Sequence, residues 1–232
     1  MSQISTGSKC IDANLGGGIN PQSITLIYGE PETGKSTLAM QCAANCALLG
    51  NKVLYADCDN TFSAIRLAQI SGNRFDEVAE RIVLVKPKDF REQTALIDQI
   101  GDYTVNVGLI IIDTFTSLYS ARAAESSKAF SVTRELNRQL ALLAQTVKTK
   151  KIPLLLVSQV RSIISEETAG VRPVATRVLK FWAENILALK PIGQAQTVKV
   201  TTEKTPQSNA PNVCYIQIGE AGIRDTQLPR YG

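Results

Sequence analysis

The 232-residue sequence contains no histidine. That absence removes the commonest general base and one of the two standard ligands of structural zinc. Any proton abstraction must fall to a carboxylate, a lysine or a tyrosine. The five cysteines, Cys10, Cys42, Cys46, Cys58 and Cys214, are an odd number with no Cys-x-x-Cys pair, so neither a disulfide framework nor a zinc site is expected. Cys42 and Cys46 lie one helical turn apart and read as small packing residues. Long apolar runs are missing too. The longest, such as 109–112 and 154–157, fall short of the ~20 residues a membrane helix needs, and no signal-peptide core opens the chain. A cytoplasmic protein with no membrane partner is the expectation.

What is present fits one folded unit. Hydrophobic residues make up 44% and charged residues 20%, near the averages of soluble globular domains, and the length favours a single domain over 1–232. The net charge of +4 is unevenly placed. Residues 172–204 carry Arg172, Arg177, Lys180, Lys190, Lys199 and Lys204 against only Glu184 and Glu203, which accounts for the whole excess. Such a region attracts nucleic acid or is simply a solvated face.

Short β-branched or leucine-rich runs at 24–28, 53–57, 82–86, 109–113, 154–158, 186–189, 198–201 and 213–218 read as strands. Helical periodicity separates the earlier ones: Leu38, Cys42, Cys46 and Leu49, then 61–71, then 89–100, then Leu136, Leu140, Leu143 and Val147. Apolar strands alternating with helices predict an α/β fold whose mostly parallel central sheet is flanked by helices. The closely spaced last strands predict an antiparallel C-terminal edge. Residues 120–127 and 161–173 read as loops that follow strand ends, where ligands of open parallel sheets bind.

Gly29-Glu30-Pro31-Glu32-Thr33-Gly34-Lys35-Ser36 fits the Walker A pattern and sits between a predicted strand and a predicted helix, the context the motif requires. Glycines let the backbone wrap a phosphate, and successive N–H groups with the helix N-terminus supply positive potential. Lys35 is placed to reach the β and γ phosphates, Ser36 to ligate magnesium, and Thr37 to extend the site into the helix. The run Leu109-Ile110-Ile111-Ile112-Asp113 ends in an acid, as a Walker B strand does, making Asp113 the second candidate for the magnesium shell. ATP and Mg2+ are the implied cofactors. Strand periodicity places Asp57 and Asp59 on one face at a strand end, where Asp59 is either the base that polarises an attacking water or part of an Asp-Asn turn capping a helix that starts near Thr61. Gln159 follows another strand and is either a γ-phosphate sensor or an ordinary loop residue.

Taken together these motifs resemble the RecA/RadA recombinase family, and within it the small paralogues of the RadA strand-exchange protein. Ser5-Thr6-Gly7 with Ile11-Asp12 and Leu15-Gly16-Gly17-Gly18-Ile19 is similar to the family's opening signature. Residues 55–62 resemble the segment holding its catalytic glutamate, Ser158-Gln159-Val160 its Asn-Gln-Val, and Gly222-Ile223-Arg224-Asp225 its ending. The resemblance implies a RecA-like ATPase core, Arg66 as a base contact, and two DNA-facing segments at 120–130 and 161–176. There Arg122, Lys128, Arg161, Arg172 and Arg177 are available to phosphates, diluted by Glu125, Glu166 and Glu167. It further implies single-stranded DNA, a RadA-type recombinase and a Holliday-junction nuclease as partners. Asp59 stands where the family has glutamate, so slow hydrolysis is expected. The chain opens almost at the core signature, with no room for the RadA-type N-terminal helical domain and its polymerisation linker, so long filaments are not expected. ATP in such folds often meets a neighbour's basic group, for which Lys204 is a candidate. A KaiC-like signalling ATPase or kinase that does not bind DNA, and a paralogue that ATP only stabilises, are the alternatives.

Overall fold

The computed structural model describes residues 2–125, 129–163, 170–173, 176–193, 196–208 and 210–227. In chain order the elements are α1 (Lys9–Asn14), β1 (Ile24–Gly29), α2 (Lys35–Leu48), β2 (Lys52–Asp57), α3 (Ala64–Ser71), α4 (Phe75–Ala79), β3 (Ile82–Val85), α5 (Phe90–Asp98) and β4 (Val107–Asp113). There follow α6 (Ser117–Glu125), α7 (Ala129–Lys150), β5 (Leu154–Ile163), β6 (Gly170–Pro173), α8 (Thr176–Trp182), β7 (Asn185–Pro191), β8 (Thr197–Lys204), β9 (Asn212–Gly219) and β10 (Gly222–Thr226).

The strands lie in the order β10-β9-β8-β7-β1-β5-β4-β2-β3. Every pairing from β7 to β3 is parallel, and β7 through β10 form the antiparallel edge. Successive side chains point to opposite faces, and both faces of the central sheet are covered, so β1 and β4 are buried along their whole length. In β1, Leu26 and Tyr28 face the layer of α5, α7 and α8, while Ile27 faces α1 and α2. In β4, Ile110 and Ile112 turn one way and Leu109 and Ile111 the other. Each fully buried aliphatic side chain contributes about 1.5–3 kcal/mol relative to exposure. Cys42 and Cys46 lie on the sheet-facing side of α2, fully buried, as packing residues. Burial pushes the Cys46 thiol up to about 12.

Gln41 on α2 joins both ends of the chain. Its Nε2 donates to the carbonyls of Thr6 (3.0 Å) and Ile223 (3.1 Å), and its Oε1 accepts from the Ile223 N–H at 2.7 Å. Ser8 caps α1 by accepting from the Ile11 N–H at 3.1 Å, and the side chain of Asp225 on β10 reinforces this cap by accepting from the Ser8 hydroxyl and from the Lys9 N–H (2.9 Å). Among the described residues no helix is long and apolar enough to cross a membrane.

Three sequence expectations are corrected. Residues 120–125 are not loop but the end of α6, because the alanines that look like linker are the best helix formers and Leu118, Tyr119 and Ala123 pack against the core. Residues 161–163 and 170–173 are an antiparallel hairpin, with Arg161 opposite Arg172. The helix expected from Thr61 starts at Ala64, where the Ser63 hydroxyl accepts from the Arg66 N–H at 3.2 Å and caps it.

Candidate functional site

The parallel strands converge at their carboxyl ends. Gly29 is the Cα partner of Gln159 across β1 and β5, and Asp57 of Asp113 across β2 and β4. The chain then wraps from β1 into α2 through a loop in which Glu32 (φ 62°) and Gly34 (φ 78°) are left-handed. At Gly34 a Cβ would also lie 2.8 Å from Ile218 Cδ1, so no other residue fits there without strain. Thr33 Oγ1 and Lys35 Nζ both donate to the Glu30 carbonyl, at 2.8 and 2.6 Å. Lys35 is buried, and that burial lowers its pKa against the opposing pull of the Asp113 and Asp59 carboxylates. Glu32, Gly34, Lys35, Ser36, Thr37 and Ile218 line a cavity of ≈250 Å3 over the N-terminus of α2.

Asp113 is 1% exposed. Its Oδ2 accepts from Tyr55 Oη at 2.7 Å. Burial raises its pKa, the Tyr55 and Ser36 hydroxyls pull it down, and Asp59 and Asp57 push it up again. Among the described residues Asp113 Oδ1 has no hydrogen-bond partner of ordinary geometry. A buried acceptor left open beside a serine hydroxyl and a buried ammonium is the donor set that a triphosphate with a hard divalent cation completes. No group of three or more acidic or cysteine side chains among the described residues would hold a metal by itself.

Asp57 and Asp59 part company, contrary to the shared face expected. β2 ends at Asp57 and Asn60 is left-handed (φ 55°), so strand periodicity does not run on. Asp57 accepts from the N–H groups of Thr61 (2.9 Å) and Phe62 (3.0 Å) and ion-pairs with Lys86 at 3.5 Å. It holds the turn. Asp59 is free of that duty: its Oδ2 accepts from Gln159 Nε2 at 2.9 Å and Thr114 Oγ1 at 2.7 Å. Tyr55, Thr114 and Ile218 were not anticipated. For Tyr55 the signal was available, since residues two apart on a strand share a face with the neighbouring strand's terminal acid.

Arg66 reaches the far side of the cleft. Its guanidinium donates to the carbonyls of Glu220 (2.7 Å) and Gly219 (2.8 Å) in the turn between β9 and β10. With Thr37, Gln69, Gln196 and Ile218 it lines a second cavity of ≈360 Å3 that shares Thr37 and Ile218 with the first.

The basic residues scatter. Arg122 is exposed on α6 and Arg177 on α8. Arg161 and Arg172 face each other in backbone register in the hairpin, their side chains lying outside the described residues, as do Lys128, Glu166 and Glu167 entirely. Of the basic stretch, Lys180 pairs with Glu203 at 2.6 Å, and Lys204 turns inward to donate to the Ala183 carbonyl at 2.6 Å.

The Rad51 family profile matches residues 1–226. The DNA repair and recombination protein RadB of Thermococcus kodakarensis is 32% identical over 229 residues, covering 97% of this chain and 100% of the relative. RadB of Thermococcus gammatolerans is 34% identical over 226 residues, covering 96% and 98%. The crystal structure of the RadB recombinase superimposes with a TM-score of 0.81 at 30% identity, covering 97% of this chain and 100% of that one. With the family profile spanning nearly the whole chain and these relatives covered almost end to end, the chain belongs to the Rad51 family, on its RadB branch.

Proposed function

We propose that this protein is an ATP- and magnesium-binding accessory factor of homologous recombination and DNA repair that holds single-stranded DNA weakly, hydrolyses ATP slowly and assists or regulates a RadA-type recombinase. The observation that carries it is the contact between Asp59 and Gln159, made beside Lys35 and Asp113. It ties the residue placed to act on water to the residue that opens the β5–β6 hairpin, the segment proposed to meet DNA.

The P-loop amides and Lys35 would hold the phosphates, Ser36 and Asp113 the cation, and Arg66 the base end of the cleft. Bound ATP with magnesium supplies the γ-phosphoryl group and the charge neutralisation its transfer needs. Asp59 would orient the attacking water and accept its proton. A carboxylate one carbon–carbon bond shorter than glutamate, ~1.5 Å, stands back from that water. Misplacement on this scale costs about a hundredfold in rate. Arg122, Lys128, Arg161, Arg172 and Arg177 would contact phosphates, giving binding that is salt-sensitive and indifferent to sequence. Membership of a family whose relatives are called DNA repair and recombination proteins supports the role. The proposed partners are a RadA-type recombinase first and a Holliday-junction nuclease second.

Two measurements test this. Phosphate release in Asp59→Glu should exceed that of the parent and in Asp59→Ala fall below it, with ATP affinity retained in both. Unchanged release in Asp59→Ala would sink the assignment. Fluorescence anisotropy of a labelled oligonucleotide should show binding that weakens with salt and responds to ATP and magnesium; no binding at low salt would overturn the DNA role.

A further inference from the structure

The largest groove among the cavities described, ≈450 Å3, lies away from the nucleotide cleft between α7 and α8. Its walls include Phe130, Arg134 and Asn137 from α7 and Arg177, Val178 and Phe181 from α8. Phe130 is 83% exposed and Phe181 76%, the two most exposed aromatic side chains among the described residues. None of the lining residues is acidic. Neither Arg134 nor Arg177 makes an ion pair among the described residues. The walls are fixed from below: Trp182 Nε1 donates to Asn137 Oδ1 at 2.9 Å, Phe181 meets the Trp182 ring edge-on at 5.4 Å between centroids, and Leu179 is fully buried in the core.

Two aromatic rings held in water cost hydration free energy, and two guanidinium groups with no ion pair among the described residues invite a polyanion. A ligand that satisfies both must alternate flat apolar faces with anionic groups. Single-stranded nucleic acid has that composition, with bases to stack on rings and phosphates for arginines. Position agrees. α7 begins where the first proposed DNA segment ends, and α8 begins where the second ends, so each wall of the groove continues directly from one of them.

We infer that the α7–α8 groove is a base-stacking platform for single-stranded DNA, with Phe130 and Phe181 taking bases and Arg134 and Arg177 taking the flanking phosphates. The inference rests on the DNA-binding reading above and adds to it a site on helices, with sequence-tolerant stacking as its main contribution.

The test is an anisotropy titration of the full-length protein with a labelled oligothymidylate and with an abasic oligomer of the same length and charge. The parent should prefer the oligothymidylate. The doubly substituted F130A/F181A should lose that preference, about tenfold or more in affinity for stacking of this kind, while its binding of a fluorescent ATP analogue and its thermal unfolding stay unchanged. Arg134→Gln should instead weaken both oligomers alike and reduce the salt slope by about 0.7. If the parent binds neither oligomer, the DNA reading itself fails. If it binds and F130A/F181A keeps the preference for bases, the groove assignment alone is overturned. If the double variant binds DNA as before but loses a RadA-type recombinase in a pull-down, the groove is a peptide dock and the inference is wrong.

Discussion

Replacing Asp113 by asparagine should separate folding from metal binding, moving them in opposite directions. The carboxylate is 1% exposed, faces Asp57 and Asp59, and has a raised pKa because burial disfavours its charge. Asparagine keeps an oxygen to accept from Tyr55, which now donates at 2.7 Å, but carries no charge. Without nucleotide, Asp113→Asn should unfold at the parent's temperature or above it. A carboxyl with a raised folded pKa penalises the native state at neutral pH, and the penalty fades as pH falls through that pKa. The variant's advantage should therefore shrink on acidification. With ATP and magnesium at a hundred times the dissociation constant, the parent gains about 2.7 kcal/mol. At 2–4 °C per kcal/mol for a chain of this size, that is a rise of roughly 5–11 °C. A hundredfold loss of affinity leaves the variant about 0.4 kcal/mol, or roughly 1 °C. Asp113→Ala is the control: it orphans the buried Tyr55 hydroxyl, costs about 1–3 kcal/mol and lowers the unliganded midpoint. Differential scanning fluorimetry with ATP, with and without magnesium, reads all three. An Asp113→Asn protein that melts below the parent yet keeps the full ATP–magnesium shift would refute the reasoning.

Leu140, fully buried on α7 among the α5 and β4 side chains, should cost about 2–5 kcal/mol as alanine, read as a drop in chemical-denaturation midpoint at constant slope. Asp225→Ala removes the carboxylate that supports the Ser8 cap and the first amide of α1, and should cost about 1 kcal/mol, most of it recovered by Asp225→Asn. Of the five cysteines only Cys10 is partly exposed, and burial raises the thiol pKa of the other four. A thiol reagent at pH 8 should modify about one thiol quickly and the rest only after unfolding; two or more fast thiols would contradict the packing described.

The strands β1 to β5 were legible because the buried parallel sheet requires apolar runs of them, whereas β6 and β10, short and with little apolar sequence, were not read as strands. The phosphate loop was legible because its glycines answer to backbone geometry at Gly34, a local property. What escaped was set by distance in sequence. α8 is short, and its buried Leu179 gains meaning only against β1 and β7. Arg66 meets carbonyls of Gly219 and Glu220, and no local pattern announces such a contact. Asp57 and Asp59 were indistinguishable by spacing, and only the left-handed Asn60 sends one to the turn and the other to Gln159. The 120–125 stretch misled because serine and alanine are ambiguous until Leu118 and Tyr119 find a surface to pack on.

The Gln41 clasp has a consequence in time. The phosphate loop is made first, but the helix behind it is held by Ile223, and the wall of its cleft by Ile218 and the Gly219–Glu220 carbonyls, which come far later in the sequence. At 5–20 residues per second the ribosome takes on the order of 10–40 s to travel from one to the other. For that interval a nascent chain carries a complete phosphate-loop sequence without a finished pocket. The pocket is finished once the β9–β10 hairpin has docked on α2, so that a nucleotide held there would mark a chain in which these two distant segments have met.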